Sequence, residues 1–269
     1  MTRPLRIMGV LNVTPDSFSD GGEWFDYDAA VVHGRELAAQ GAAILDVGGE
    51  STRPGADPVG EDEELRRVIP VIQALAGSGA TLSVDSSKVA VARAALDAGA
   101  AYVNDVTAFR SEPEMAQLVA QSGCECCLMH MLGEPRTMQD DPRYDDVVDD
   151  VKAFLDERAA FAVGQGIAPE RITVDPGIGF GKTLAHNLEL LRRLDEIAAL
   201  GFELAIGTSR KSFLGRLTGR DDPHDRVAAT VATTVLALER GATTFRVHDV
   251  AATADALKVA AATLRRDGP

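Results

Sequence analysis

The feature that most constrains the fold is a regular alternation of short apolar runs with longer amphipathic segments along the 269 residues. Each apolar run has the length of a β-strand, and the segments between them carry apolar residues at helical spacing. A strand, a helix and a second strand in succession form a parallel βαβ unit. Eight strand-like runs occur, at residues 5–11, 43–47, 81–84, 101–103, 126–129, 172–174, 203–206 and 243–247.

Eight such units predict an α/β protein whose strands close into a (β/α)₈ TIM barrel, and the chain has the length of one barrel. No Ser/Pro-rich linker divides the sequence, so we expect a single domain over residues 1–269. An open doubly wound sheet is the structural alternative, because it uses the same units.

Local signals set several helix boundaries. Gly41 is expected to stop the first helix, and Ser111 with Glu114 reads as a capping box ahead of a helix that Gly123 stops. A stripe of apolar residues later in the chain predicts the buried face of another helix, formed by Val227, Val231, Val235 and Leu238.

Nearly every predicted strand ends in polar residues. Parallel strands place these ends at one mouth of a barrel, where barrel enzymes keep their active sites. One polar residue after a strand is an ordinary helix cap, but a succession of them favours a functional site. The strand ends are Asn12, Asp46, Asp85, Asn104 with Asp105, His130, Asp175, Ser209 to Lys211, and Arg246 with His248.

Composition excludes several classes of function. The formal charge of −14 disfavours nucleic acids and anionic membranes as partners. No apolar run is long enough to span a bilayer, and the N-terminus lacks the pattern of a signal peptide, so we expect a cytoplasmic protein. An anionic substrate would need a local basic island on this acidic chain. Arg53, Lys211, Arg246 and His248 are the candidates for it.

Two motifs are best explained without a metal or a nucleotide. Cys124, Cys126 and Cys127 read as small apolar residues on a buried strand, because neighbours on a strand face opposite ways and do not converge on a metal. The segment from Gly179 to Thr183 ends like a phosphate-binding P-loop but has Pro176 in place of the first glycine. No serine or cysteine has the setting of an activated nucleophile, which favours charge stabilisation over covalent catalysis.

The strand-end motifs resemble the dihydropteroate synthase family, and the match runs from the first predicted strand to the last. The motifs are Asn12-Val-Thr-Pro-Asp-Ser-Phe, Asp46-Val-Gly-Gly-Glu-Ser-Thr-Arg-Pro-Gly-Ala, Val84-Asp-Ser-Ser-Lys, Val103-Asn-Asp-Val, Leu128-Met-His-Met, Asp175-Pro-Gly-Ile-Gly-Phe-Gly-Lys, Ser209-Arg-Lys-Ser and Arg246-Val-His-Asp. Ser86 and Leu132 depart from the family pattern, beside its anchors.

The resemblance implies condensation of 6-hydroxymethyl-7,8-dihydropterin diphosphate with p-aminobenzoate, releasing diphosphate in the presence of Mg²⁺. It further implies an SN1-like course, sulfonamide inhibition and a homodimer. The pterin would be bound by Asp85, Asn104, Asp175, Lys211 and Arg246.

The resemblance places the other ligands on the same mouth. Asn12 would offer an oxygen to Mg²⁺. The diphosphate would contact Asn12, Thr52, Arg53, Arg246 and His248, and p-aminobenzoate would contact Thr52, Pro54, Phe180 and Ser212. The catalytic residues would be Asn12, Arg53, Lys211, Arg246 and His248.

Three other functions remain open. A non-catalytic pterin-binding paralogue would keep the same anchors. A barrel that transfers a methyl group from a folate to a corrinoid would keep Asp85, Asn104 and Asp175 but has no use for Arg53 or for the Arg246/His248 pair. A phosphate-binding sugar isomerase would need a Glu/His acid–base pair, which the sequence does not display.

Overall fold

The computed structural model of the chain describes residues 4–14, 27–51 and 56–264. Eight strands alternate with helices in these ranges, and two short 3₁₀ turns, Pro169–Arg171 and Pro223–Arg226, join them. The strands are β1 Arg6–Asn12, β2 Ile44–Gly48, β3 Thr81–Asp85, β4 Tyr102–Asp105, β5 Glu125–Met129, β6 Ile172–Asp175, β7 Glu203–Ile206 and β8 Thr244–Val247. The helices are α1 Tyr27–Ala39, α2 Glu61–Leu75, α3 Val89–Asp97, α4 Met115–Ser122, α5 Val147–Gly164, α6 Leu184–Arg192, α7 Leu194–Ala198, α8 Ser212–Thr218, α9 Val227–Glu239 and α10 Val250–Leu264.

The strands form one closed parallel barrel in sequence order, and β1 pairs with β8 to complete it. The predicted (β/α)₈ fold is therefore confirmed, and the open sheet is excluded. The described residues build this one barrel, while the extent of the domain over residues 1–269 stays a prediction.

The two faces of β5 show how the barrel uses its apolar residues. Cys126 packs outward into the large core between the strands and the helices. Cys127 points inward, in a cluster with Met8, Ile44, Tyr102 and Ala205 that fills the barrel interior. All three cysteines are buried and none forms a disulfide, although Cys124 precedes β5 and accepts a hydrogen bond from Ser122. Within the described ranges, no group of residues is arranged to hold a metal through three or more His, Cys, Asp or Glu side chains.

Ion pairs join the starts of three strands at the end of the barrel opposite the mouth. Arg6 lies at the start of β1 and donates to Glu125 at 2.6 Å and to Glu203 at 2.5 Å, at the starts of β5 and β7. The guanidinium also lies over the ring of Tyr102, 5.8 Å from its centroid. These contacts tie β1, β5 and β7 together at the end away from the polar strand ends.

Two local predictions fail and two hold. Helix α1 ends at Ala39, just before Gly41, which has φ 106° as a helix stop requires. Gly123 ends α4 in the left-handed conformation, with φ 71°, as expected. The capping box is absent, because Glu114 at the N-cap has helical dihedrals and makes no side-chain cap bond. On α9 the residues that turn inward are Thr230, Thr234 and Ala237, whereas the predicted valine stripe lies half-buried beside them.

No helix in the part of the chain that the structure describes is both long and apolar enough to cross a membrane.

Candidate active site

The strand register places four mouth positions side by side. Asn12 pairs with Gly48, Gly48 with Asp85, and Asp85 with Asn104. Gly48 keeps this layer close, since a Cβ at that position would lie 3.3 Å from the Cβ of Asp85. Asp85 and Asn104 are buried and Asn12 is half-buried. Three residues predicted from separate motifs therefore line one continuous arc of the mouth.

Arg246 on β8 links this arc across the barrel. Its Nε donates to Asp46 at 2.7 Å and its Nη2 donates to Asp85 at 2.6 Å. Burial alone would lower the pKa of Arg246, but Asp46 and Asp85 outweigh it and hold that pKa above its ordinary value. Arg246 is thus a fixed cation whose guanidinium plane is set by two carboxylates.

Asp46 is the shared acceptor of this network. Besides the bond from Arg246, it accepts from Ser83 at 2.6 Å and from the amide nitrogen of Asn104 at 3.0 Å. Its side chain is fully buried. Burial, together with the nearby Asp46, raises the pKa of Asp85 to about 7 against the opposing charge of Arg246. The sequence named Asp46 as a strand end but did not include it among the site residues.

Asp175, at the end of β6, lies at the floor of the mouth on the side away from this network. Its carboxylate accepts from the backbone N–H of Gly177 at 2.7 Å. Burial raises the pKa of Asp175, and Lys211 is the strongest opposing charge. Burial in turn lowers the pKa of Lys211 to about 8, although Asp175 acts in the opposite direction.

Lys211 connects the β7 loop to the β6 loop. Its ammonium donates to the carbonyl of Ile178 and lies 4.7 Å from the centroid of the Phe180 ring. Phe180 is half-buried, so one face of its ring is covered while part of it stays accessible at the mouth.

The loops after β7 and β8 are joined at Ser209 and His248. The Oγ of Ser209 lies 2.9 Å from Nδ1 of His248 and accepts from the backbone N–H of His248 at 3.1 Å. Arg210, with φ 59°, forms a two-point ion pair with Asp249, at 2.6 and 3.0 Å. Ser212 is exposed at the start of α8. The structure thereby brings the predicted residues Lys211, Ser212 and His248 to the same side of the mouth.

The expected basic island is only partly formed by the described residues. Arg246 is neutralised by Asp46 and Asp85, and Lys211 faces Asp175. The carboxylates lie at the ends of β2, β3 and β6, whereas the cations lie on β8 and after β7. Their contacts could not be predicted from a count of basic residues along the sequence. Arg53, Thr52 and Pro54 lie outside the described residues, so their predicted contacts stay predictions.

A second charged group, which the sequence did not indicate, anchors the segment that leads to Thr52. Lys88 donates to Glu50 and, at 2.5 Å, to Glu64. Arg67 donates to the carbonyl of Gly49 at 2.8 Å. These contacts hold the end of β2 against α2 and the β3 loop. These contacts were hard to predict from the sequence, because Glu64 and Arg67 belong to a run of charges that is typical of a solvated helix face.

Comparison with known proteins gives one consistent result. A family model described as pterin binding enzyme matches residues 8–248. A dihydropteroate synthase of Neisseria meningitidis serogroup C is 49% identical over 256 residues, which cover 94% of this chain and 90% of that protein.

Two solved structures agree in fold and sequence. The dihydropteroate synthase of Xanthomonas albilineans with 4-aminobenzoic acid has a TM-score of 0.91 and 51% identity, covering 99% of this chain and 94% of that one. The Yersinia pestis enzyme with a sulfonamide drug complex has a TM-score of 0.91 and 46% identity, covering 97% and 94%. The chain therefore belongs to the pterin binding enzyme family and, within it, to the dihydropteroate synthases.

Proposed function

We propose that the mouth of this barrel joins 6-hydroxymethyl-7,8-dihydropterin diphosphate to p-aminobenzoate, and that the residues described above carry the reaction. The observation that supports this most directly is Asp175, a buried carboxylate at the floor of the mouth that faces Lys211. A transferase of this kind fits the family to which the chain belongs.

The pterin would lie flat between Asp175 and the Arg246 network. Its guanidine-like edge presents two N–H donors in one plane, which a carboxylate accepts in bidentate fashion. Asp175 is the acceptor for this edge, and Asn104 and Asp85 extend the polar contacts in the same plane. Lys211 donates to the ring's acceptor atoms. Arg246 stacks its guanidinium on the ring, since Asp46 and Asp85 fix the orientation of its plane.

The diphosphate would leave toward Asn12, Thr52, Arg53, Arg246 and His248. His248 is already oriented by Ser209. Mg²⁺ would fit the ligands at this end of the site. Asn12 offers an amide oxygen, and the diphosphate and water would supply the remaining oxygen ligands that Mg²⁺ prefers. Mg²⁺ held at Asn12 would offset the charge that develops on the departing diphosphate.

The p-aminobenzoate would enter between Phe180 and the segment that contains Thr52 and Pro54. Its carboxylate would meet Ser212 at the start of α8, and its ring would pack on Phe180. The Xanthomonas relative was solved with 4-aminobenzoic acid and the Yersinia relative with a sulfonamide. Sulfonamides resemble p-aminobenzoate, so we propose that they inhibit this enzyme by competing for the same place.

The chemistry needs no covalent enzyme intermediate. The bond between the pterin methylene carbon and the diphosphate oxygen breaks first, and its electron pair leaves with the diphosphate. The neutral aromatic amine then supplies the electron pair of the new C–N bond and releases a proton. Charge stabilisation by Arg246, Lys211 and Arg53 is therefore the enzyme's main contribution.

We also propose that two copies of the chain associate through α9 and α10. These helices pack on each other and expose large apolar side chains, Leu236 on α9 and Val259 on α10. Exposed apolar residues on adjacent helices fit an interface between copies better than a solvated face.

The test is a turnover assay with Asp175→Asn. Purified protein is mixed with the pterin diphosphate, p-aminobenzoate and Mg²⁺, and dihydropteroate is measured. We expect metal-dependent product from the wild type and a loss of at least about 100-fold in kcat/KM for the variant, because an amide presents one acceptor and one donor where the pterin edge needs two acceptors. Asp156→Asn, an exposed carboxylate on α5, is the matched control and should retain full activity.

Wild-type protein that binds the pterin diphosphate but yields no product would favour the non-catalytic paralogue. Product that persists unchanged in Asp175→Asn would contradict the role given to Asp175.

A further inference from the structure

Lys182 is a buried lysine that the proposed reaction does not use. Only 3% of the residue is exposed. Its Nζ lies 2.9 Å from Nδ1 of His130, 3.0 Å from the carbonyl oxygen of Phe180 and 3.5 Å from that of His130. These partners are an imidazole and two carbonyl groups, and none is a carboxylate. Burial lowers the pKa of Lys182 well below its ordinary value, and Lys211 lowers it further.

His130 gives this lysine a rigid attachment point. It follows β5, and its backbone N–H donates to the carbonyl of Asp175 at 3.0 Å. Its ring packs edge-on against Phe154, with centroids 4.8 Å apart. Burial lowers the pKa of His130 to about 2, so its ring is neutral at neutral pH. The ring that contacts Lys182 is therefore fixed to the barrel itself.

The Phe180 segment depends on side chains from outside for its position. The Asn187 side chain accepts from the backbone N–H of Gly179 at 2.7 Å, and the Tyr144 hydroxyl donates to the carbonyl of Gly181 at 2.8 Å. The Gln139 side chain donates to the carbonyl of Gly179 at 2.5 Å, and Lys182 donates to the carbonyl of Phe180 itself. The ring of Phe180 then lies beneath the ammonium of Lys211.

A role in stability alone is a poor explanation for Lys182. Moving an amine out of water costs free energy that neutral acceptors offset only in part, and an apolar side chain of similar volume is often as stable in such a place. What the amine adds is a directional bond to one carbonyl in a loop that borders the mouth.

We propose that Lys182 is a positioning residue for the second substrate: by bonding the Phe180 carbonyl to His130, it holds the Phe180 ring where p-aminobenzoate packs. This inference rests on the proposed function, because it takes p-aminobenzoate as the molecule in contact with Phe180. The pterin anchors Asp85, Asn104 and Asp175 are held by other bonds, so loosening Phe180 leaves them in place.

The experiment compares Lys182→Met, which keeps an unbranched side chain one atom shorter and without the donor, with Lys182→Gln, which keeps a donor. Lys182→Met should raise KM for p-aminobenzoate about tenfold, the value of one hydrogen bond, and leave KM for the pterin diphosphate within about twofold. Lys182→Gln should fall between it and the wild type. Thr234→Val removes a buried hydroxyl on α9 that bonds Thr230, and this matched control should change neither KM.

A second readout needs no substrate. Hydrogen exchange at the backbone amides of Gly179 and Phe180 should become about tenfold faster in Lys182→Met, while the amides of Thr173 and Val174 on β6 keep their wild-type rates. Equal rises in the two KM values, or an unchanged exchange rate at Gly179 and Phe180, would overturn the inference. An inactive wild type would count against the proposed function alone, because the exchange result still decides the role of Lys182.

Discussion

At the scale of single residues, the mouth is a set of charges whose behaviour is fixed by burial and by a few near neighbours. Arg246 stays charged because Asp46 and Asp85 enclose it, whereas Lys211 has only Asp175 to oppose the cost of burial. Burial therefore lowers the pKa of Lys211 to about 8, where its charge changes at mildly alkaline pH. Its charge state should control both catalysis and stability.

Turnover should fall as pH rises through about 8, because Lys211 then loses the proton with which we propose that it donates to the pterin. The folded pKa lies below the ordinary lysine value of 10.5, so the unfolded chain binds more protons between these two values. This group's contribution to the free energy of unfolding therefore rises over that window.

The measurement is kcat/KM against pH, with urea denaturation on both sides of the transition. Lys211→Met should remove both the alkaline loss of activity and the rise in stability assigned to this group. An identical pH profile in the variant would show that another group is titrating.

At the scale of secondary-structure elements, the site depends on how sharply the chain turns after each strand. After β6 it turns at Gly177, with φ 65°, where a Cβ would lie 1.9 Å from the carbonyl oxygen of His130. This close approach lets the backbone N–H of Gly177 reach Asp175. The β5 and β6 loops are thereby packed against each other at the floor of the mouth.

Gly177→Ala should lower the free energy of unfolding by at least about 3 kcal/mol, because the methyl group meets a backbone atom and the left-handed conformation disfavours alanine. Urea denaturation gives the value. Gly60→Ala is the control: Gly60 has extended dihedrals and no atom within 4 Å of a Cβ, so the change should be below about 1 kcal/mol. Equal losses in the two variants would contradict the steric explanation.

At the scale of the whole molecule, the barrel carries a net charge of −14 yet exposes apolar side chains on α9 and α10. Leu236 is 46% exposed and Val259 is 69% exposed. An interface there would bury residues that the isolated barrel leaves in water.

Sedimentation should give a single species of twice the chain mass of 28.4 kDa. Leu236→Glu should shift it toward the monomer, since each interface would then bury two additional unpaired charges related by symmetry. Val163→Glu, on the exposed side of α5, should leave the dimer intact. A wild type that sediments as a monomer at all concentrations would contradict the proposed interface.

The strands were predictable because each is encoded locally. Every predicted strand overlaps an observed one, since an apolar run bounded by turn residues is a property of neighbouring positions. Helix starts were less predictable. Ahead of α4, the predicted capping box of Ser111 and Glu114 does not form. Its neighbour Glu112 instead accepts from the backbone N–H of Val89, at the start of α3, at 2.7 Å. On α9 the hydroxyl of Thr234 bonds back to the Thr230 carbonyl, so threonines fill the buried face that valines were expected to fill.

By itself, the sequence determined the order of strands and helices and the end of the barrel that bears polar residues. Only the tertiary structure decided which charges meet. Asp46 and Arg246 are 200 positions apart, and the pair exists because β8 closes against β1. The neutral partners of Lys182 and the carboxylates around Lys88 likewise depend on packing between distant elements. Local patterns encode elements, but the protonation and orientation of a buried group depend on neighbours that the completed barrel supplies.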